Sequence, residues 1–289
     1  MSGLQSLPYP VFVVTIESNL TRARETVARL ERHSLEPRIW TGVDGRRRFA
    51  YEPDELIDRR RFYAKYRREI HPTEIGCYLS HYRLLKHIQA EGHERAVVLE
   101  DDVLPLPALL PVLERLADLD PEVEYINLLP IKLFTVASRN RSRMVRATLH
   151  RHHVLSSLLQ GHGTVGYMVT ASGIAKVLPL LMPIHDPIDN ALDPTFHLTD
   201  DRLPPDTPHD RLLGAFTLWP PLLQHPYDRN VVQGPDGRSA KLSLGRVAAG
   251  IKRDYRFRFI NYYGRTRQAH RARWRQIRDA EEARHDAAG

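Results

Sequence analysis

The chain has one cysteine, Cys77, in 289 residues. A single thiol excludes an internal disulfide framework and gives no sign of an oxidising compartment. No apolar run approaches the ~20 residues that a membrane-spanning helix needs. The opening stretch "MSGLQSLPYPVFVVTI" lacks the basic segment, apolar stretch and small-residue cleavage site of an export signal, so the expected location is cytoplasmic. There is no "GxxxxGK[ST]", no strand-linked "GxGxxG" and no "GxSxG", which argues against a P-loop enzyme, a dinucleotide-binding enzyme and a serine hydrolase. Cys and His do not follow the spacing of a zinc site.

What is present is the composition of an ordinary soluble protein, 42% hydrophobic and 27% charged, long enough to bury a large core. The net charge of +7 is unevenly spread. Residues 238–289 carry 14 Lys or Arg against 5 Asp or Glu, while the rest of the chain has 28 basic and 30 acidic residues. The division expected is a folded domain over 1–237 and a basic, aromatic-containing extension over 238–289.

"PVFVVTI" (10–16) is a continuous apolar run of strand length, which predicts a strand buried on both faces. Leu20, Ala23, Val27 and Leu30 then recur at helical spacing, with Asn19 or Thr21 as the cap. "PRIWTGVDG" (37–45) reads as a second strand ending in a turn, and 46–71 as a helical excursion. "HPTEIGCYLSHYRLLKHIQAEGHE" starts a helix at Pro72 and Thr73 and ends it at Gly92, with Ile75, Tyr78, Leu79, Tyr82, Leu85 and Ile88 as its buried stripe. Strands are expected at 95–99, 123–129 and 163–170, helices at 107–118 and after residue 170, and a last strand-like segment at 213–225. Residues 132–162 read as a polar, His-rich loop or lid. This alternation predicts an α/β layered sheet, largely parallel, with flanking helices.

At the end of the third strand stand Glu100, Asp101 and Asp102. Two like charges 4 Å apart repel by roughly 4 kcal/mol near a protein surface. Such a cluster persists when it is solvated, protonated or bound to a cation. In an open α/β sheet ligands sit beyond the carboxyl ends of the strands, and Mg²⁺ and Mn²⁺ favour carboxylate oxygens shared with substrate phosphates. The alternative is a solvated turn in which Asp102 caps the next helix.

Four segments, in this order, resemble glycosyltransferase family 25, the bacterial lipopolysaccharide and lipooligosaccharide glycosyltransferases. They are "PVFVVTIESNLTRARETVARLERHSLEPRIWTGVDG", "TEIGCYLSHYRLLKHIQAEGHERAVVLEDDVLP", "GTVGYMVTASGIAKVLPLL" and "DPIDNAL". The joined "EIGCYLSH" and "LEDDV" are the most specific piece, and the resemblance runs from about residue 10 to residue 225. It implies a GT-A-like fold of Rossmann type, a UDP-sugar donor (usually UDP-galactose), Mn²⁺ or Mg²⁺, inversion at the anomeric carbon, and a saccharide hydroxyl of a surface glycan or glycolipid as acceptor. "EDD" then stands for the family's metal motif.

By the same resemblance Asp102, Glu100 and His225 are the expected metal ligands, and Glu100 and Asp101 are also candidate donor contacts. Asp189 in "DPIDNAL" is the expected base for the acceptor hydroxyl, with Asp186 and Asp193 as rivals and an N-cap as its alternative role. Donor contacts are expected from Thr15, Glu17 and Arg22, where this chain has Thr-Ile-Glu-Ser in place of the family's Asn-Leu-Asp-Arg-like run. Asp44, Gly76, Ser80 and His81 complete the candidate set. Their plainer readings are a turn residue for Asp44, a close-packing residue for Gly76 and a hydrogen-bonded core histidine for His81. Cys77 reads as a small buried residue.

The extension mixes Arg with Tyr, Phe and Trp, a composition that suits an anionic membrane surface and would hold the enzyme at the inner face of the plasma membrane. Nucleic-acid binding is the less favoured reading. Two rival functions use the same features: an inactive transferase-like module binding membrane or RNA through the extension, and a metal-dependent phosphoryl-transfer enzyme.

Overall fold

In a computed structural model of the protein, the residues described are 7–48, 55–129, 145–149, 152–156, 163–192, 213–219 and 221–224. They all lie in one unit formed by Met1–His197 and Asp210–Gln224. The extension 238–289, His225 and Asp193 lie outside the described residues.

The elements follow one another as β1 (Val11–Thr15), α1 (Leu20–Glu31), β2 (Pro37–Thr41), α2 (Gly45–Arg48), α3 (Arg59–Tyr66), α4 (Pro72–Ala90), β3 (Arg95–Glu100), β4 (Leu104–Pro105), α5 (Leu109–Leu116) and β5 (Tyr125–Asn127). Next come β6 (Val145–Leu149), β7 (His152–Ser156), β8 (Gly166–Thr170), α6 (Ala171–Val177), α7 (Ile188–Ala191), β9 (Ala215–Trp219) and β10 (Leu223–Gln224). Eight strands form one sheet in the order β2-β1-β3-β8-β5-β9-β7-β6, and β4 pairs with β10 separately. The expected layered α/β architecture with flanking helices is present, but the sheet is mixed, not largely parallel. β1 runs parallel to β2 and β3, and β5 to β9, whereas β8 lies antiparallel between β3 and β5. The stretch expected as a loop or lid contributes β6 and β7, an antiparallel pair that extends the sheet through β9. Val145, Ala147 and Leu149 alternate with Arg146 and Thr148, the period of a half-buried strand.

Strand residues divide by parity between two cores. Phe12, Val14, Ala96, Val98, Tyr125, Tyr167 and Val169 face the layer that holds Ile75, Tyr78 and Leu85 of α4. Val11, Val13, Val97, Leu99, Ile126 and Met168 face the layer of Ala23 and Leu30 of α1 and Leu113 and Leu116 of α5. This sandwich explains why β1 and β3 read as unbroken apolar runs. Truncating a fully buried leucine such as Leu99 to alanine would cost about 2–5 kcal/mol.

α4 begins with a capping box: His71 accepts from the Thr73 backbone N–H, and Glu74 accepts from the His71 backbone N–H. Just past its end Gly92 adopts φ +70°, a conformation that favours glycine.

Candidate active site

The carboxyl ends of β1, β2, β3 and β5 open at one edge of the sheet, where the segment entering β8 also arrives. The acidic triplet stands at the centre of this edge, and its three members have different surroundings.

Asp101 is buried, and its carboxylate is fully engaged. The Thr15 hydroxyl donates to one oxygen at 2.5 Å, and the Arg22 guanidinium donates to the other. The Thr26 hydroxyl donates to the Asp101 carbonyl oxygen at 2.7 Å. Thr26, a polar residue, joins Ala23 and Leu30 on the buried face of α1, and Val27 packs against the same core. Arg22 also lies 3.6 Å from the Asp102 carboxylate. Thr15 and Arg22, expected at the donor, thus both hold the chain at Asp101.

Glu100 points into the layer beside α4. Its Oε1 accepts from the Thr164 hydroxyl at 3.0 Å. Burial, then the charge of Asp102, pushes its carboxyl up to about 7, with Asp101 and Asp189 adding to the effect. Glu100 is therefore balanced between its neutral and ionised forms near neutral pH. A carboxyl that holds its proton through burial, with a second carboxylate beside it, fits a hard cation, which can replace that proton.

α4 brings Cys77 and His81 to the same place, one helical turn apart. The Cys77 sulfur, a His81 ring nitrogen and a Glu100 oxygen all lie within 4.8 Å of one another. Cys77 is not the buried residue expected: it is exposed to solvent. Surrounding protein nevertheless pushes its thiol up, chiefly through burial and then the charges of Glu100 and Asp189. His81 is buried, and desolvation pulls it down to about 4, so the imidazole is neutral. Its Nδ1 pairs with the Tyr167 hydroxyl at 3.0 Å, and Tyr167 stacks on Tyr125. The i, i+4 spacing of Cys77 and His81 was the available signal for this cluster; Thr164, just ahead of β8, had none.

Asp189 sits in the first turn of α7 and is half-buried. Its charge adds to the upward push on both Glu100 and Cys77. Asp186 is differently placed. It is buried and receives Lys65 and the Tyr66 hydroxyl, with His185 at 3.3 Å. Asn190 donates to the Tyr66 oxygen at 2.8 Å, which ties α7 to α3.

The remaining candidates line the loop after β2. Asp44 accepts two side-chain hydrogen bonds from Arg46, each at 2.8 Å, which lower its carboxyl from the ordinary value. Glu17 is exposed, 3.8 Å from Arg47. Ser80 is buried; its oxygen accepts from the Val43 backbone N–H at 2.8 Å and its hydroxyl donates to the Gly76 carbonyl at 2.7 Å. Gly76 meets protein backbone directly: a Cβ there would stand 2.5 Å from the Gly45 nitrogen. Ser80 and Gly76 therefore seat the loop on α4.

The sequence profile of glycosyltransferase family 25 (LPS biosynthesis protein) matches residues 9–192. No curated protein matches the chain significantly. Among solved structures, one similar chain is a glycosyltransferase involved in the glycosylation of the major capsid of PBCV-1, with 10% identity and a TM-score of 0.28, covering 70% of this chain and 71% of that one. Another is the galactosyltransferase LgtC in complex with donor and acceptor sugar analogues, with 11% identity and a TM-score of 0.33, covering 86% of this chain and 94% of that one. The profile spans the acidic triplet, the Cys77–His81 turn and Asp189 alike, and the chain belongs to glycosyltransferase family 25.

Proposed function

We propose that this glycosyltransferase moves a hexose, galactose by preference, from a UDP-sugar to a hydroxyl of a lipopolysaccharide, lipooligosaccharide or related surface glycan, with inversion and with a divalent cation. The observation that carries the reading is the environment of Glu100: a carboxyl at a strand end, raised to about 7 by burial and by Asp102. Glu100 and Asp102 would hold Mn²⁺ or Mg²⁺. The chemistry supplied there is neutralisation of the charge that develops on the departing diphosphate.

Asp189 serves as the base that takes the proton of the acceptor hydroxyl, a role that needs an ionised carboxylate facing the cleft. Asp101 enters no bond-making step: Thr15, Arg22 and Thr26 use it to fix the backbone between Glu100 and Asp102. Donor contacts fall to Glu17, Asp44 and the α4 loop, which border the same edge. No helix among the described residues is long and apolar enough to cross a membrane. The basic extension would hold the enzyme at an anionic membrane surface, so loss of salt-sensitive vesicle binding on deleting 238–289 is expected.

The test is a UDP-sugar panel with Mn²⁺ present or chelated, reading UDP release. UDP-galactose turnover that stops on chelation is the expected result. Metal-independent turnover of the preferred donor overturns the role given to Glu100 and Asp102.

A further inference from the structure

Cys77, His81 and Glu100 converge in the cleft with a donor set unlike that of the acidic triplet. Thiolate, imidazole and carboxylate together are ligands of zinc-class cations, which bind three protein groups and leave a fourth position open. We propose that Cys77, His81 and Glu100 form a binding site for Zn²⁺, distinct in ligand chemistry from the hard-cation site and sharing Glu100 with it.

The geometry is close to what such an ion requires. Tetrahedral zinc with ordinary Zn–S, Zn–N and Zn–O lengths sets its ligand atoms roughly 3.3–3.6 Å apart. The three ligand atoms here lie within 4.8 Å of one another, and an ion bound among them would draw them closer. Two come from one rigid surface, the i and i+4 positions of a nineteen-residue helix, and the third from the end of a central strand.

The supporting contacts are in place as well. His81 is 1% exposed and neutral, the form that ligates, and its Nδ1 is directed at the Tyr167 hydroxyl. An ion on Nε2 fixes the proton on Nδ1, which then donates to the Tyr167 oxygen; an outer partner of this kind orients most ligating histidines. Glu100 gives Oε1 to the Thr164 hydroxyl and keeps Oε2 for the ion. Solvent access at Cys77 provides the entry path. Binding releases the thiol proton, and the proton of Glu100 where it is held, to solvent. Because Glu100 belongs to both sets, zinc occupancy withdraws it from the hard-cation site.

Cys77 is the only cysteine, so every thiol readout reports on this site. The protein, stripped of metal, is titrated with Co²⁺ as the spectroscopic probe and with Zn²⁺ as competitor. Expected are tetrahedral-cobalt visible bands and a sulfur-to-cobalt charge-transfer band, both displaced by Zn²⁺. In parallel, Zn²⁺ but not Mg²⁺ slows alkylation of Cys77 in the unmodified protein, an assay that needs no variant to fold. Cys77→Ser removes the charge-transfer band. Tyr167→Phe weakens Zn²⁺ protection by about 10–100-fold, and Glu100→Gln weakens it by at least as much. A band that survives in Cys77→Ser, or alkylation indifferent to Zn²⁺, overturns the site. Neither readout depends on sugar transfer, so failure of the transferase reading leaves this result standing, and the converse holds.

Discussion

Asp101 takes a hydroxyl and a guanidinium on its two carboxylate oxygens and a second hydroxyl on its carbonyl, whereas Glu100, one residue earlier, has the Thr164 hydroxyl alone as a hydrogen-bond donor among the described residues. Consecutive strand residues point to opposite faces. Asp101 therefore meets α1, which is rich in donors, and Glu100 meets α4 with its thiol, its neutral imidazole and the distant charge of Asp189. A carboxyl group, set on one side or the other of the strand end, becomes a fastening on one and a titrating group on the other. A run of acids is thus not one site: each member takes its properties from the layer it faces.

The largest effect expected is at the Glu100 side, on rate. Asp189→Asn should lower sugar transfer by about 10²–10⁴-fold while donor affinity, read by calorimetry, stays unchanged. An unaltered rate would remove Asp189 as the base and leave its side of the cleft without assigned chemistry. On the α1 side the effect should appear in stability. Asp101→Ala removes the shared acceptor of Arg22 and the Thr15 hydroxyl, and a loss of about 3 kcal/mol in urea unfolding is expected, the lower end for a broken buried pair because Arg22 is partly exposed and keeps Asp102 at 3.6 Å. If Asp101→Ala kept its unfolding midpoint, the division between fastening and titrating carboxylates would fail.

The narrowest effect, confined to a pH window, sharpens the contrast further. Glu100 has its carboxyl raised from 4.5 to about 7, so the folded protein binds more protons than the unfolded chain between those values. Its favourable contribution is complete below about 4.5 and is lost as pH rises through 7. Glu100→Gln should therefore be more stable than the parent at pH 8, by at most about 3 kcal/mol, and indistinguishable from it near pH 4.5. Thermal melts at the two pH values read this directly; an equal difference at both would mean that Glu100 does not titrate in this window.

Much of this was legible before any coordinates. β1 and β3 are unbroken apolar runs because both faces are covered, and the two ends of α4 are marked by Pro72, Glu74 and Gly92. Asp189 could be paired with the triplet only through the family resemblance, since nothing local relates residues 189 and 100. The direction of β8 was not legible: "GYMVT" reads alike whether it runs with or against β3, because pairing direction is set by where the chain has travelled in between. β6 and β7 were passed over because His152, His153 and Arg146 mask a two-residue alternation. Cys77 and His81 were visible at helical spacing, yet their third partner lies across the fold, and a search by sequence interval cannot find it.

Gly45 and Gly76 meet backbone to backbone, with no side chain between them to yield. The loop after β2 therefore cannot shift on the helix bearing the thiol without opening this contact. A molecule settling over residues 42–45 would press on the turn next to Cys77 before touching it. Alanine at either glycine would jam this joint and spread the two backbones apart.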